Sequence, residues 1–203
     1  MDAHTITSLQ QLRSLFAQPG EASLRKETPS IHPVYRRWIE QAPFAVLATS
    51  GAGGLDASPR GDPAGFVVVE DEHTLLLPER RGNNRIDSLR NIVEDPRVAL
   101  LFLIPGVGET LRVNGTARIS VEPALLQRFA MQGKPPQCVI EVKAQAVYFQ
   151  CARALQRSQL WGSMPRPGDV PTAGEILEAV TARGIDGQAY DKALPARQRE
   201  SLY

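Results

Sequence analysis

Apolar positions change their period along this chain. Between Thr7 and Phe16, Leu9, Leu12, Leu15 and Phe16 recur at helical spacing, and Gln18-Pro19-Gly20 stops the run. The spacing predicts a second helix from His32 to Gln41, with Pro33 in its first turn. From residue 43 the period shortens. Phe44 to Thr49 is a short apolar run, and Leu55 to Arg60 alternates, with Asp56, Ser58 and Arg60 on one face. Phe66 to Val69 and Thr74 to Leu77 flank Glu70-Asp71-Glu72-His73, a loop of hairpin length. Val98 to Ile104 is apolar without alternation, which predicts a strand buried on both sides. Thr110 to Ile119 alternates, with Leu111, Val113, Ala117 and Ile119 facing one way, as does Cys138 to Val147, with Glu141, Lys143 and Gln145 on its polar face.

That pattern predicts about seven strands between residues 43 and 149, interrupted by helical segments at Asn84 to Val93 and Pro123 to Met131. Strands and helices do not alternate strictly, so a parallel Rossmann sheet is disfavoured. A mainly β, α+β fold is expected: an antiparallel, Greek-key-like barrel with peripheral helices. The chain reads as one domain, 1–203. Residues 1–42 form N-terminal helices, 43–149 the barrel core and 150–203 a tail with one helix. In the tail, Arg153, Arg157 and Trp161 lie close together, and Arg157 and Trp161 would share a face if the segment is helical. Pro165, Pro167 and Pro171 stiffen a loop, and Thr172 to Glu175 forms a capping box that opens a helix through Ala182, with Gly184 as its C-cap.

Composition narrows the function classes. The 203 residues, 42% apolar and 22% charged, suit a globular domain, and 23 basic against 22 acidic residues leave a net charge of +1. A general nucleic-acid coat would need a basic excess. Cys138 and Cys151 form no CxxC, and His4, His32 and His73 are scattered, so no metal site is expected. Met1 to Gln18 has no apolar h-region, and no apolar run approaches the roughly 18 residues that span a bilayer. A cytoplasmic protein with no membrane partner is expected.

The chemistry concentrates in Leu77-Pro78-Glu79-Arg80-Arg81-Gly82-Asn83-Asn84-Arg85, which follows a strand and opens a helix. Asn83 or Asn84 suits the N-cap, with Asp87 imitating a capping box, and Ile86, Leu89 and Val93 would form the buried face. Unpaired amides at a helix start, beside Arg80, Arg81 and Arg85, make an anion site suited to phosphate. A solvated basic turn that only caps its helix is the alternative. A second candidate runs from Asp56 to Phe66, where Ser58 and Arg60 share a face and Gly61 and Gly65 would admit a flat ligand near the backbone, unless that face is merely wet. A third is Arg112 and Asn114 on one strand face, toward solvent or a subunit interface. No side chain stands out as an acid or base.

Taken in order, these segments resemble the FMN-binding split-barrel family related to pyridoxamine 5′-phosphate oxidase, and within it the bacterial PPOX-class flavoproteins. The carrying residues are Phe44 to Ser50, Ala57-Ser58-Pro59-Arg60-Gly61, Leu75 to Pro78, Arg81-Gly82-Asn83-Asn84-Arg85, Asp95-Pro96-Arg97-Val98 within Asn91 to Phe102, and Leu111 to Gly115. The resemblance covers roughly residues 33 to 161, and its specificity lies in order and spacing.

The resemblance implies a homodimer with two FMN molecules in clefts between subunits. By position, Ser58 and Arg60 would lie along the flavin and ribityl chain, with Gly61 also binding the cofactor, and Leu77 and Pro78 would contribute backbone near the ring. Arg81, Asn83, Asn84 and Arg85 would hold the phosphate, Arg112 would approach from the interface strand, and Arg157 and Trp161 would come from the second subunit. The implied activity is an FMN-dependent oxidoreductase acting on a small molecule with a nicotinamide, NAD(P)H, or oxygen partner. The alternatives are a non-catalytic FMN-binding or flavin-sensing protein, or a binder of haem or a deazaflavin. Oxidases that make pyridoxal 5′-phosphate end in an Arg-Leu-His-Asp-Arg-like segment. Here Arg153-Ala154-Leu155-Gln156-Arg157 stands there, with no histidine beyond His73, so that synthesis is not expected.

Overall fold

The computed structural model describes residues 4–162, 165–166 and 168–203, so Met1 and Pro167 lie outside the described residues. Seven strands form one antiparallel sheet: β1 Phe44–Gly51, β2 Gly54–Gly61, β3 Val68–Asp71, β4 Thr74–Glu79, β5 Arg97–Leu103, β6 Thr110–Ser120 and β7 Cys138–Gln150. Their order is β2-β1-β5-β6-β7-β4-β3. Hairpins link β1 to β2 and β3 to β4, whereas β5, β6 and β7 insert between them, so distant parts of the chain become neighbours. The architecture is an α+β split barrel. Eight helices surround it among the described residues: α1 Leu9–Ser14, α2 Glu21–Arg25, α3 Pro33–Gln41, α4 Asp87–Glu94, α5 Pro123–Arg128, α6 Arg153–Ser158, α7 Ala173–Val180 and α8 Gly187–Glu200. No helix among the described residues is long and apolar enough to cross a membrane.

Strand alternation builds the core. Ala45 and Leu47 of β1, Val98, Leu100 and Phe102 of β5, Leu111 and Val113 of β6, and Ile140 and Val142 of β7 point into one cluster, joined by Ile39 of α3. The long apolar run of β5 is buried on one side only. Ala99, Leu101 and Leu103 are half-buried on the opposite face, because the core covers only one side of the sheet in a single chain.

Helix α4 docks on the β1–β2 hairpin in a register different from the one its apolar residues predict. It begins at Asp87 and buries Ser88, Asn91 and Ile92, while Ile86 and Val93 are exposed. Polar pairing sets this rotation. Asn91 Nδ2 donates to the buried Thr49 Oγ1 at 3.1 Å, and Ser88 Oγ donates to Asp56. Gly51 leaves room for this pairing, since a Cβ there would meet Asn91 Oδ1 at 2.5 Å and displace the side chain.

The tail carries three helices rather than one. The Thr172–Glu175 capping box forms and opens α7. Its C-cap is Thr181, followed by left-handed Ala182 and Arg183, so Gly184 is not the cap. Helix α8 lacks a strong apolar stripe and is set by its Asp186 cap and by contact with α7. A Cβ on Gly174 would sit 2.1 Å from the Gly187 carbonyl, so two glycines let these backbones touch. At the other end, the Leu9, Leu12, Leu15 and Phe16 stripe is exposed in the single chain.

Candidate functional site

The end of β2, the end of β4 and the segment leading into α4 enclose a cleft of about 610 Å³, within the range of small-molecule and cofactor sites. Alternation on β2 turns Asp56, Ser58 and Arg60 to one face, and the curl of the sheet brings that face against β4. Arg60 Nε donates to Glu79 Oε2 at 3.1 Å, and Arg60 Nη2 donates to Ser88 Oγ at 3.1 Å. Ser58 Oγ and Ser88 Oγ both donate to Asp56. The inner end of the cleft is therefore a connected network in which Arg60 and Glu79 form an ion pair and Asp56 is held by two hydroxyls. Burial pushes the Glu79 carboxyl above the ordinary carboxylate range, with Arg60 opposing the shift. Behind it, burial and the Glu79 charge push the Cys138 thiol up to about 11.

The outer end differs. Arg81, Asn83, Asn84 and Arg85 line the cleft and are exposed. Asn83 Oδ1 accepts the Arg85 amide at 3.1 Å instead of capping the helix. The N-cap of α4 is Ile86, which offers no side-chain acceptor, and this corrects the Asn83 or Asn84 cap. The chain enters α4 through left-handed residues, Asn84 at φ 60° and the β-branched Ile86 at φ 53°, a conformation that costs roughly 1–2 kcal/mol in a side-chain-bearing residue. Such strain clusters at ligand sites. The result is a helix start without a side-chain cap, facing the cleft beside two exposed guanidiniums. Arg85 Nε pairs with Asp87 Oδ2 at 2.8 Å. Arg80 is not part of this rim; it is held by Asp62 at 2.7 Å and by the Phe129 carbonyl at 2.7 Å.

Ser58, Arg60, Gly61, Pro78, Arg81, Asn83, Asn84 and Arg85 thus meet at one cleft. Leu77 does not line it. It faces the core on β4, fully buried opposite Ile140, one turn of the pleat short of the strand end where Pro78 and Glu79 reach the cleft. Arg112, Arg157 and Trp161 also lie away from the cleft of their own chain. Arg112 Nη1 donates to the Tyr148 hydroxyl at 2.9 Å, and Trp161 Nε1 donates to the Val107 carbonyl at 2.7 Å. Helix α6 ends at Ser158 with Gln159 left-handed, so Arg157 and Trp161 do not share a helical face. Ser88 and Gln137 line the cleft without being singled out in the sequence, and Glu79, inside the basic stretch, has no role assigned there. Asp56 carried a signal, its alternation with Ser58 and Arg60, but Glu79 and Ser88 have none, since their partners lie on another strand.

The family described as pyridoxamine 5′-phosphate oxidase matches residues 31–151, more than half of the chain. Solved structures similar to this chain include HupZ of Group A Streptococcus, at 19% identity and a TM-score of 0.47 over 58% of this chain and 91% of that one. The FAD binding protein of Mycobacterium smegmatis is similar at 13% identity and a TM-score of 0.42, over 61% and 97%. No curated protein matches the sequence.

Proposed function

The chain belongs to the pyridoxamine 5′-phosphate oxidase family, and on that premise we propose that its cleft binds FMN and that the protein is an FMN-dependent oxidoreductase acting on a small molecule. The observation that carries this reading is the division of one cleft into two chemistries. Its inner end is polar, with the Arg60–Glu79 ion pair and the hydroxyl-bonded Asp56 but no cation left unpaired among the described residues, and its outer end offers exposed Arg81 and Arg85 at an uncapped helix start. A ligand with an uncharged polar body and an anionic end matches that division, and FMN is one. Arg81, Asn83, Asn84 and Arg85 would take its phosphate; Ser58, Arg60, Gly61 and Pro78 would border the remainder. When bound, FMN supplies hydride or electron exchange, here with a small organic substrate and NAD(P)H or oxygen. The protein orients the cofactor and excludes water.

The reading includes a homodimer. The half-buried Leu101 and Leu103 on the outer face of β5, with Arg112 beside them on β6, suit an isologous two-fold interface. The partner's copies of Arg112, Arg157 and Trp161 would then complete each cleft. Light scattering tests the dimer, and a monomer that holds FMN would contradict it. With two free cysteines, Cys138 and Cys151, the reading keeps a cytoplasmic location.

The absorption spectrum of the purified protein, with the ligand released by heat and identified by mass, tests the cofactor. A colourless protein that does not take up FMN at micromolar concentration sinks the proposal. A deazaflavin or haem would be identified by the same mass. Turnover of NAD(P)H separates an oxidoreductase from a flavin binder without catalysis.

A further inference from the structure

Two ion pairs, not one, join the ends of β2 and β4. Past the Arg60–Glu79 pair, Asp62 and Arg80 are the residues that immediately follow the two strands, and they meet at 2.7 Å. The Asp62 side chain is only 3% exposed. Its second oxygen is taken from far along the chain: the Tyr203 hydroxyl donates to Asp62 Oδ1 at 2.6 Å. The Arg80 guanidinium stands 5.8 Å from the centre of the Tyr203 ring. Lys134 Nζ donates to the Tyr203 main-chain oxygen at 2.9 Å, a second tie on the residue. Arg80 borders the cleft, and the exposed rim begins at the next residue, Arg81.

We propose that Tyr203 is a latch, holding the Asp62–Arg80 clamp closed and so setting how readily the 81–86 rim opens to pass a ligand. The physical reason is the position of Asp62. Its carboxylate is buried, so each donor it loses leaves acceptor capacity unsatisfied away from water. With Tyr203 and Arg80 both bound, the carboxylate is satisfied and Arg80 is fixed between Asp62 and the Phe129 carbonyl. Without the hydroxyl, Arg80 becomes the sole side-chain donor to Asp62 among the described residues, and the clamp loosens where the rim begins. The α7–α8 hairpin precedes Tyr203, so the tail acquires a role: it delivers the latch. The inference does not depend on which ligand the cleft takes.

The test is Tyr203→Phe in the full chain, read by amide hydrogen exchange. The substitution keeps the ring under Arg80 and removes only the hydroxyl. Exchange of the Asp62 amide, which donates to the Pro43 carbonyl, and of the Arg90 amide, which donates to the Ile86 carbonyl at the end of the rim, is expected to quicken roughly ten-fold, the loss of one hydrogen bond to a charged group, while β6 and β7 keep their protection. FMN release, followed by flavin emission, should quicken in parallel. Unchanged exchange at Asp62 and Arg90 overturns the latch, and so does uniform acceleration that includes β6 and β7, which would mean that Tyr203 only adds global stability. If the protein binds no FMN, the cofactor proposal fails while the exchange result still decides the latch.

Discussion

Arg60 and Glu79 meet at 3.1 Å although their strands, β2 and β4, are separated in the sheet by β1, β5, β6 and β7. The pair thus closes the barrel with side chains where no backbone ladder runs. With side-chain exposures of 15% and 20% it is largely shielded, so removing one partner strands the other. Arg60→Met should cost about 3 kcal/mol by denaturant unfolding. Arg60→Met combined with Glu79→Leu should recover most of that loss, because both charges leave together. A double variant as unstable as the single one would show that the pair is not the source.

Glu79 also makes stability depend on pH. Its folded carboxyl titrates above the ordinary value near 4.5 because burial disfavours its charge. The folded state therefore holds this proton more tightly than the unfolded state. The contribution is fully present below about pH 4.5 and declines as pH rises through the raised folded value. Glu79→Gln should flatten that decline in stability curves measured from pH 4 to 7. An unchanged slope would assign it to another group.

Phosphate anchoring is testable at Arg85. Arg85→Ala should weaken FMN by about 1.5–3 kcal/mol, the worth of a charge-assisted hydrogen bond, and leave riboflavin nearly unaffected. Asp87 now pairs with Arg85, so Asp87→Asn should tighten FMN. Titration calorimetry with both ligands decides; equal weakening of FMN and riboflavin would make Arg85 a structural residue.

Ile86 carries strain that stability need not require. A β-branched residue at φ 53° before α4 is replaceable by asparagine, which tolerates that conformation and can cap. Ile86→Asn should raise unfolding stability by about 1 kcal/mol. FMN affinity should fall or stay level, since a cap competes with the phosphate for the same amides. A gain in both would separate the strain from the site.

The cysteines should differ sharply. Cys138 is buried, with its thiol pushed up to about 11, and Cys151 is exposed. Alkylation at pH 8 should modify Cys151 and leave Cys138 until the protein unfolds. Mass mapping of the alkylated peptides checks this, and rapid labelling of Cys138 would mean that the barrel end behind Glu79 opens.

What the sequence determined by itself was periodic and local. The alternation of β2, β6 and β7 and the helical turns of α3 and α7 follow from side chains a few positions apart. The exposed rim was legible too, since Arg81, Asn83, Asn84 and Arg85 are contiguous and need no partner to be noticed. The register of α4 was not: apolar spacing favoured Ile86, Leu89 and Val93, yet Ser88 and Asn91 are buried because Asp56 and Thr49 accept their hydrogen bonds from another part of the sheet. Three tail helices were read as one, because α6 and α8 lack a strong apolar stripe. The inner end of the cleft and the Tyr203 contact were decided only by tertiary structure. Arg60, Glu79 and Ser88, like Asp62, Arg80 and Tyr203, find one another through the curl of the sheet and the return of the tail. Local periodicity carries no record of which distant charge will share a buried site. That pairing arises when the core collapses and each charge taken from water must find its opposite.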